Sequence, residues 1–129
     1  IDMVLIAGRY SLLDQKALEA LLPAALERNV DIIAAGVFNS GILANPVKGA
    51  TYDYVPASDE LLAKAVRIRE VLDGHQVSLT SAALQFPLRH PAVKSVLVGC
   101  RSAAEVATNI TEFDKTIENK VWDDLVSVL

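Results

Sequence analysis

Three short stretches hold the residues with which this chain could bind a ligand: Gly8 to Gln15, Gly36 to Leu43 and Gly99 to Arg101. Each opens on a glycine, which lets backbone N–H groups come close to a ligand. Turns need glycine for their own geometry too, so no single one of them identifies a site. Gly36-Val37-Phe38-Asn39-Ser40-Gly41 has the glycine spacing of a phosphate loop, but Ile42-Leu43 stands where a nucleoside-triphosphate loop has Lys and Ser or Thr. Nothing there would reach a terminal phosphate or Mg²⁺, and no G-x-G-x-x-G is present. Backbone amides, with the Asn39 and Ser40 side chains, could still hold a pyrophosphate. Gly99-Cys100-Arg101-Ser102 runs into a capped helix start, a ready anion site to which Arg101 adds charge. A plain helix cap beside a solvated arginine accounts for the same four residues equally well.

The remaining reactive side chains form no catalytic set. His75 and His90 fall in turns at helix ends, without metal-ligand spacing or a neighbouring Ser or Cys nucleophile, and read as surface or C-cap residues. Cys100 has no C-x-x-C partner and reads as lining a wall. Asp123-Asp124 reads as a solvated helix face. Tyr52 and Tyr54 suit either a cover over a ligand or the packing of their own loop.

Three apolar runs rich in β-branched residues must position these turns: Met3 to Ala7, Asp31 to Ala35 and Ser95 to Val98. None alternates polar and apolar, so each predicts a strand covered on both faces, as in a parallel sheet. Leu18, Leu21, Leu22, Ala25 and Leu26 lie on one helical face, with Asp14 as its expected N-cap and Asn29 at its end. Gly36 to Pro56 reads as a long irregular loop, a length common in lids and binding loops. Ser58 is the expected cap of a helix carrying Leu61, Leu62, Ala65, Val66, Arg69 and Leu72, stopped by Gly74. A second helix starts near Ser78, carries Ala82, Ala83 and Phe86, and is broken by Pro87 and Pro91. Ser102 and Glu105 form a capping box for a helix to about Phe113, and a last helix runs from about Asn119 to Val128. Strands alternating with helices predict a parallel α/β architecture whose small sheet has two open edges.

The 129 residues include 12 Lys and Arg against 16 Asp and Glu, a net charge of −4, and 52% are hydrophobic with only 5% aromatic. The surplus lies in 18 Ala and 40 Val, Leu and Ile. This excludes disorder, collagen-like repeats and disulfide scaffolds. Mild acidity argues against a general nucleic-acid binder. One cysteine cannot form an internal disulfide, so a reducing, cytoplasmic setting is the expectation. No apolar run reaches the roughly 20 residues of a membrane span, and no signal peptide is visible. The chain opens on Ile1-Asp2 inside an apolar run, and reads as a segment of something longer.

Beyond these patterns, Arg9-Tyr10-Ser11-Leu12-Leu13-Asp14-Gln15 resembles the segment after the sixth barrel strand of aldo-keto reductases. Asp31 to Leu43 resembles that family's seventh strand and cofactor loop, and His90 to Ile110 its eighth strand and following helix. Essentially the whole chain is covered in order. Ala7-Gly8-Arg9-Tyr10 is most similar to the branch that includes L-fucose and D-threo-aldose dehydrogenases, with pyridoxal dehydrogenase as a near relative. The resemblance implies an α/β fold that is the C-terminal portion, about strands six to eight, of a (β/α)₈ TIM barrel, with residues 1–129 as an incomplete domain.

It further implies NAD or NADP in extended form, and hydride transfer to or from a sugar or other carbonyl carbon in the full-length enzyme. Gly36, Val37, Phe38, Asn39, Ser40 and Gly41 would lie along the pyrophosphate and nicotinamide ribose. Gly99, Cys100 and Arg101 would surround the adenosine ribose, and Asn109 would contact adenine. Glu105 stands where many relatives place a basic residue facing the 2′-phosphate, which tilts the expectation toward NAD; Arg101 pulls the other way. Ala7 replaces the usual Gln that bonds the nicotinamide carboxamide, and Ala35 the usual Tyr that stacks on its ring. The family's catalytic Tyr, Lys, His and Asp belong to the first half of the barrel, so no residue here is catalytic, and the segment alone is expected to be inactive and to self-associate. The alternatives are a non-catalytic nucleotide- or anion-binding module and a self-associating structural fragment, with no nucleic-acid or membrane partner in any of them.

Overall fold

A computed structural model describes all residues, 1–129. The chain runs β1 (Met3–Ala7), α1 (Leu21–Glu27), β2 (Asp31–Ala35), the two-residue strands β3 (Thr51–Tyr52) and β4 (Val55–Pro56), α2 (Asp59–Gly74), α3 (Leu79–Gln85), β5 (Val93–Leu97), α4 (Ala103–Phe113) and α5 (Asn119–Leu125). β1, β2 and β5 form one parallel sheet in that order, so both outer strands are open edges. Leu5 pairs with Ile33 and Ile33 with Ser95, while Ala7, Ala35 and Leu97 make a second row at the strand ends.

Only one sheet face is covered. Ile32, Ala34 and Val93 are buried beneath the helices, with Val4, Ile6 and Val96 packed against them. On the other face Met3, Leu5 and Leu97 are 49%, 51% and 50% exposed. The expectation of cover on both faces therefore holds for the helical side alone. That face is mostly apolar, interrupted by Asp31 and Ser95, and of its residues only Ala35 is buried. Beneath the covered face, Leu22, Ile42, Leu43, Ile68, Leu72, Leu84 and Leu125 are fully buried.

Several helix details differ from the sequence reading. Asp14 does not cap α1; its Oδ1 accepts the Lys16 N–H at 3.0 Å, at the start of a short 3₁₀ turn over Lys16–Leu18. Pro23 explains the break: it has no N–H to donate to an earlier turn, so it is tolerated only in a helix's first turn, and α1 starts at Leu21. Of the expected apolar face, only Leu22 and Ala25 are buried, while Leu18, Leu21 and Leu26 remain 40–44% exposed. In α2 the buried residues are Ala65, Ile68 and Leu72, because α2 faces the core slightly off the expected stripe. The caps themselves stand: Ser58, Ser78 and Ser102 each accept a backbone N–H three residues on. β5 begins two residues earlier than expected. The last helix is α-helical to Leu125 and 3₁₀ over Val126–Val128.

The expected loop from Gly36 to Pro56 contains structure. Asn39–Gly41 is a 3₁₀ turn, and β3 and β4 form an antiparallel hairpin. At the sheet end, the Gly8 N–H donates to the Ala35 carbonyl at 2.9 Å, and a Cβ on Gly36 would stand 2.9 Å from the Gly8 nitrogen. Gly36 also sits at φ +64°, so this close approach of two loops requires glycine twice over.

Candidate functional site

The turns after β2 and β5 face each other across a cavity of about 720 Å³, within the roughly 300–1,000 Å³ of small-molecule sites. Gly36, Val37, Phe38, Ser40 and Gly41 form one side, and Gly99, Cys100, Arg101, Glu105 and Asn109 the other. The fold thus gathers every residue expected along the cofactor except Asn39, while none of the first candidate stretch, Gly8 to Gln15, lines the cavity. Thr108 and Thr80 add polar groups, and Leu97, Ala44 and Tyr54 complete the wall. Thr108 was within reach of sequence reasoning, since it lies three residues from Glu105 on the same helical face. Thr80 arrives only by the packing of α3 on α4, for which the sequence holds no local signal.

Asn39 is buried and turned away from the cavity. Its Oδ1 accepts from Ser11 Oγ at 2.5 Å, and its Nδ2 donates to the Gly8 carbonyl at 3.3 Å. Ser40 lines the cavity, but its Oγ accepts the Tyr54 N–H at 3.0 Å and its carbonyl accepts from Thr51 Oγ1 at 2.6 Å. Both side chains expected to hold a pyrophosphate therefore tie loops together. Backbone groups are what this turn has left for a ligand. Asn39 and Ser40 hold left-handed conformations, φ 47° and 65°, as do Asp53 and Tyr54 across from them, φ 50° and 64°. Such strained residues cost about 1–3 kcal/mol each and cluster at functional sites.

The hairpin turn is also bolted to the loop after β1. Arg9 donates to both Asp53 carboxylate oxygens, at 3.2 and 3.0 Å, and to the Gly8 carbonyl at 3.1 Å. The Tyr52 hydroxyl donates to Asp14 Oδ2 at 2.8 Å. Burial, and then this bond to a carboxylate, push the Tyr52 phenol up to about 12. The two tyrosines thus divide the roles the sequence left open: Tyr52 packs the loop, while Tyr54 stands at the cavity rim, 91% exposed.

On the opposite side, Ser102 Oγ accepts the Glu105 N–H at 3.1 Å, and Glu105 Oε2 accepts the Arg101 N–H at 2.7 Å. The reciprocal cap thus closes on Arg101, one residue before the N-cap. The Arg101 guanidinium also meets Glu105 Oε1 at 3.3 Å. The backbone N–H and then the guanidinium hold the Glu105 carboxyl below its usual range. Asn109 Nδ2 donates to Cys100 Sγ at 3.4 Å, so the thiol belongs to the wall.

His75 and His90 lie away from this cavity. His75 is the C-cap of α2, and its Nε2 is 2.8 Å from Asp124 Oδ2, so Asp124 bridges to α2 and is not a merely solvated helix face. His90 ends the 3₁₀ turn Phe86–Arg89, stands edge-on to Tyr10 at 5.8 Å, and burial lowers its pKa. No three His, Cys, Asp or Glu residues are grouped to hold a metal ion. No helix is long and apolar enough to cross a membrane.

Residues 1–129 match the aldo/keto reductase family. The chain is 44% identical over 128 residues to pyridoxal 4-dehydrogenase of Microbacterium luteolum, covering 98% of this chain and 37% of that protein. It is 40% identical over 127 residues to D-threo-aldose 1-dehydrogenase of a Pseudomonas species, covering 97% and 39%. In structure it is similar to the apo form of an aldo-keto reductase from Bacillus halodurans, with TM-score 0.76 and 24% identity over 99% of this chain and 43% of that one. The chain therefore spans less than half the length of the proteins it matches. Its three parallel strands and their helices are part of a (β/α)₈ barrel. The chain belongs to the aldo/keto reductase family.

Proposed function

We propose that these residues are the C-terminal segment of a barrel domain and supply the pyrophosphate and adenosine side of its NAD or NADP site. The observation that carries this is the single cavity into which the turns after β2 and β5 and the first turns of α4 converge. The groups present fit an extended dinucleotide. Gly41 and Gly99 leave open space where a Cβ would stand. The capped N-terminus of α4 favours negative charge, and Thr108 and Asn109 offer polar contacts farther along it. When bound, the cofactor supplies hydride exchange with a carbonyl or alcohol carbon. The names of the two relatives support a sugar or pyridoxal-like substrate.

The chain's own part is binding and shape. Ala7 and Ala35 are register partners at the strand ends, so the two larger side chains expected there from the family resemblance are missing side by side. Tyr10 is buried against Phe86 and His90, and Tyr52 is bound to Asp14, so neither is placed for proton transfer to a ligand in the cavity. Glu105 suits a 2′-hydroxyl and opposes a 2′-phosphate, which favours NAD. Its pairing with Arg101 reduces that bias without reversing it. A cytoplasmic setting fits the exposed free thiol of Cys100. The test is calorimetric titration of the full-length protein with NADH and NADPH. Binding of both, NADH more tightly, is the expected result; no binding of either contradicts the reading.

The open strand edges and the half-exposed Met3, Leu5 and Leu97 favour a second property, self-association of the 129 residues when separated from the rest.

A further inference from the structure

The helix that carries Glu105, Thr108 and Asn109 is held in an inverted way. None of the residues of α4 is buried. Its apolar stripe, Val106, Ile110 and Phe113 at i, i+4 and i+7, is 44%, 57% and 41% exposed. Its polar stripe, Glu105, Thr108 and Glu112, is turned toward the rest of the chain: the first two line the cavity and Glu112 reaches α3. Amphipathic helices usually dock through their apolar face. Here the tie within these residues is polar, and it centres on one carboxylate.

Glu112 Oε2 accepts hydrogen bonds from Ser78 Oγ and, at 2.5 Å, from Ser81 Oγ. Its Oε1 accepts from Lys115 Nζ at 2.5 Å. Ser78 is the N-cap of α3, and its Oγ also accepts the Ser81 N–H at 3.0 Å. Ser81 is fully buried and the Glu112 side chain only 16% exposed, so water competes little for these bonds. Gln85 Nε2 donates to the Lys115 carbonyl at 2.8 Å and holds the far end of α4 to the same helix. Lys115, then Ser78 and Ser81, keep the Glu112 carboxyl down at about 2, so it stays ionised at any working pH.

We propose that Glu112 is a positioning residue for the adenosine side of the cavity: by clamping α4 to the first turn of α3, it fixes the spacing of Thr80 from Thr108 and Asn109. Thr80 lies between the two clamping serines in sequence, and Thr108 is four residues from Glu112, about one helical turn or about 6 Å along the axis. Any slack in the clamp is therefore passed directly to the cavity wall. The apolar stripe of α4 is largely open within these residues, so its spacing from α3 is set on its polar side, by Glu112 with Gln85. The inference rests on the cofactor reading above, and its test separates the two.

The test uses the full-length protein with Glu112→Gln and, independently, the double variant Ser78→Ala/Ser81→Ala, which removes the serine bonds and keeps the Lys115 pair. Calorimetry reads the affinity for two probes, ADP-ribose for the adenosine side and nicotinamide mononucleotide for the other. Both variants are expected to weaken ADP-ribose about tenfold, the scale of a lost charge-assisted hydrogen bond, and to leave the mononucleotide within about twofold. Equal losses for both probes, or no loss for either, would overturn the clamp. Failure of the unmodified protein to bind either probe would instead sink the cofactor reading. The clamp is then decided by amide hydrogen exchange: faster exchange over Ala103–Phe113 in Glu112→Gln, with α1 unchanged, supports it, and unchanged exchange in α4 overturns it.

Discussion

Glu105 answers to two residues' worth of chemistry on one neighbour, since both the backbone N–H and the guanidinium of Arg101 bind its carboxylate. Replacing it by arginine removes the acceptor, frees Arg101 and adds a second cation. Glu105→Arg in the full-length protein should raise NADPH affinity about tenfold relative to NADH, the scale of one charge-assisted phosphate contact. An unchanged ratio of the two affinities would contradict the role given to this position. Tyr52 offers a different handle, because its phenol is held neutral by burial and by Asp14. Tyr52→Phe leaves one bond to a buried carboxylate unmade and should cost about 1–3 kcal/mol. The folded phenol titrates near 12 against 10.0 when unfolded. Its contribution is therefore complete below pH 10 and is lost as pH rises toward 12. Urea midpoints of both forms between pH 8 and about 12 check this: the gap between them should narrow upward through that window.

The elements show where sequence signals are local and where they are not. β1 and β2 were legible to the residue because an unbroken β-branched run between turn signals admits little else. The serine caps were legible because an N-cap is a contact across three residues. The hairpin of β3 and β4 was not, because its strands are two residues long and its turn holds Tyr54 at positive φ, where Gly is usual after an Asp such as Asp53. Those residues adopt that shape because Arg9 and Ser40, distant in sequence, hold them. The same limit explains Asn39. Its place in the loop was foreseen, but the Ser11 and Gly8 partners that turn it inward come from another strand end. Gly36 tests how tightly these loops interlock. Gly36→Ala combines a positive φ with a Cβ 2.9 Å from the Gly8 nitrogen, and should destabilise the full-length protein by about 2 kcal/mol or more. Differential scanning calorimetry reads this directly; an unchanged Tm would mean that the two loops part easily.

As a whole, the molecule has a core beneath one face of its sheet and apolar surface left open elsewhere. One face of β1, β2 and β5 and the apolar stripe of α4 are exposed together, which suits a part of a (β/α)₈ barrel better than a free-standing domain. The resemblance to the family was legible along the full chain because its most specific segments sit in the turns that also build the cavity. The separated 129 residues should therefore sediment as oligomers or aggregates and show no turnover of sugars with NAD. A clean monomer in sedimentation velocity, or measurable turnover, would contradict this. The cavity between the turns after β2 and β5 is where the cofactor is proposed to bind. Hydrogen exchange of the full-length protein with and without saturating NADH tests it most directly. Protection is expected to concentrate in Gly36–Gly41 and Gly99–Asn109, with little change in α1 and α5; binding that leaves both segments unprotected, or protects other regions alone, would rule out this cavity as the cofactor site.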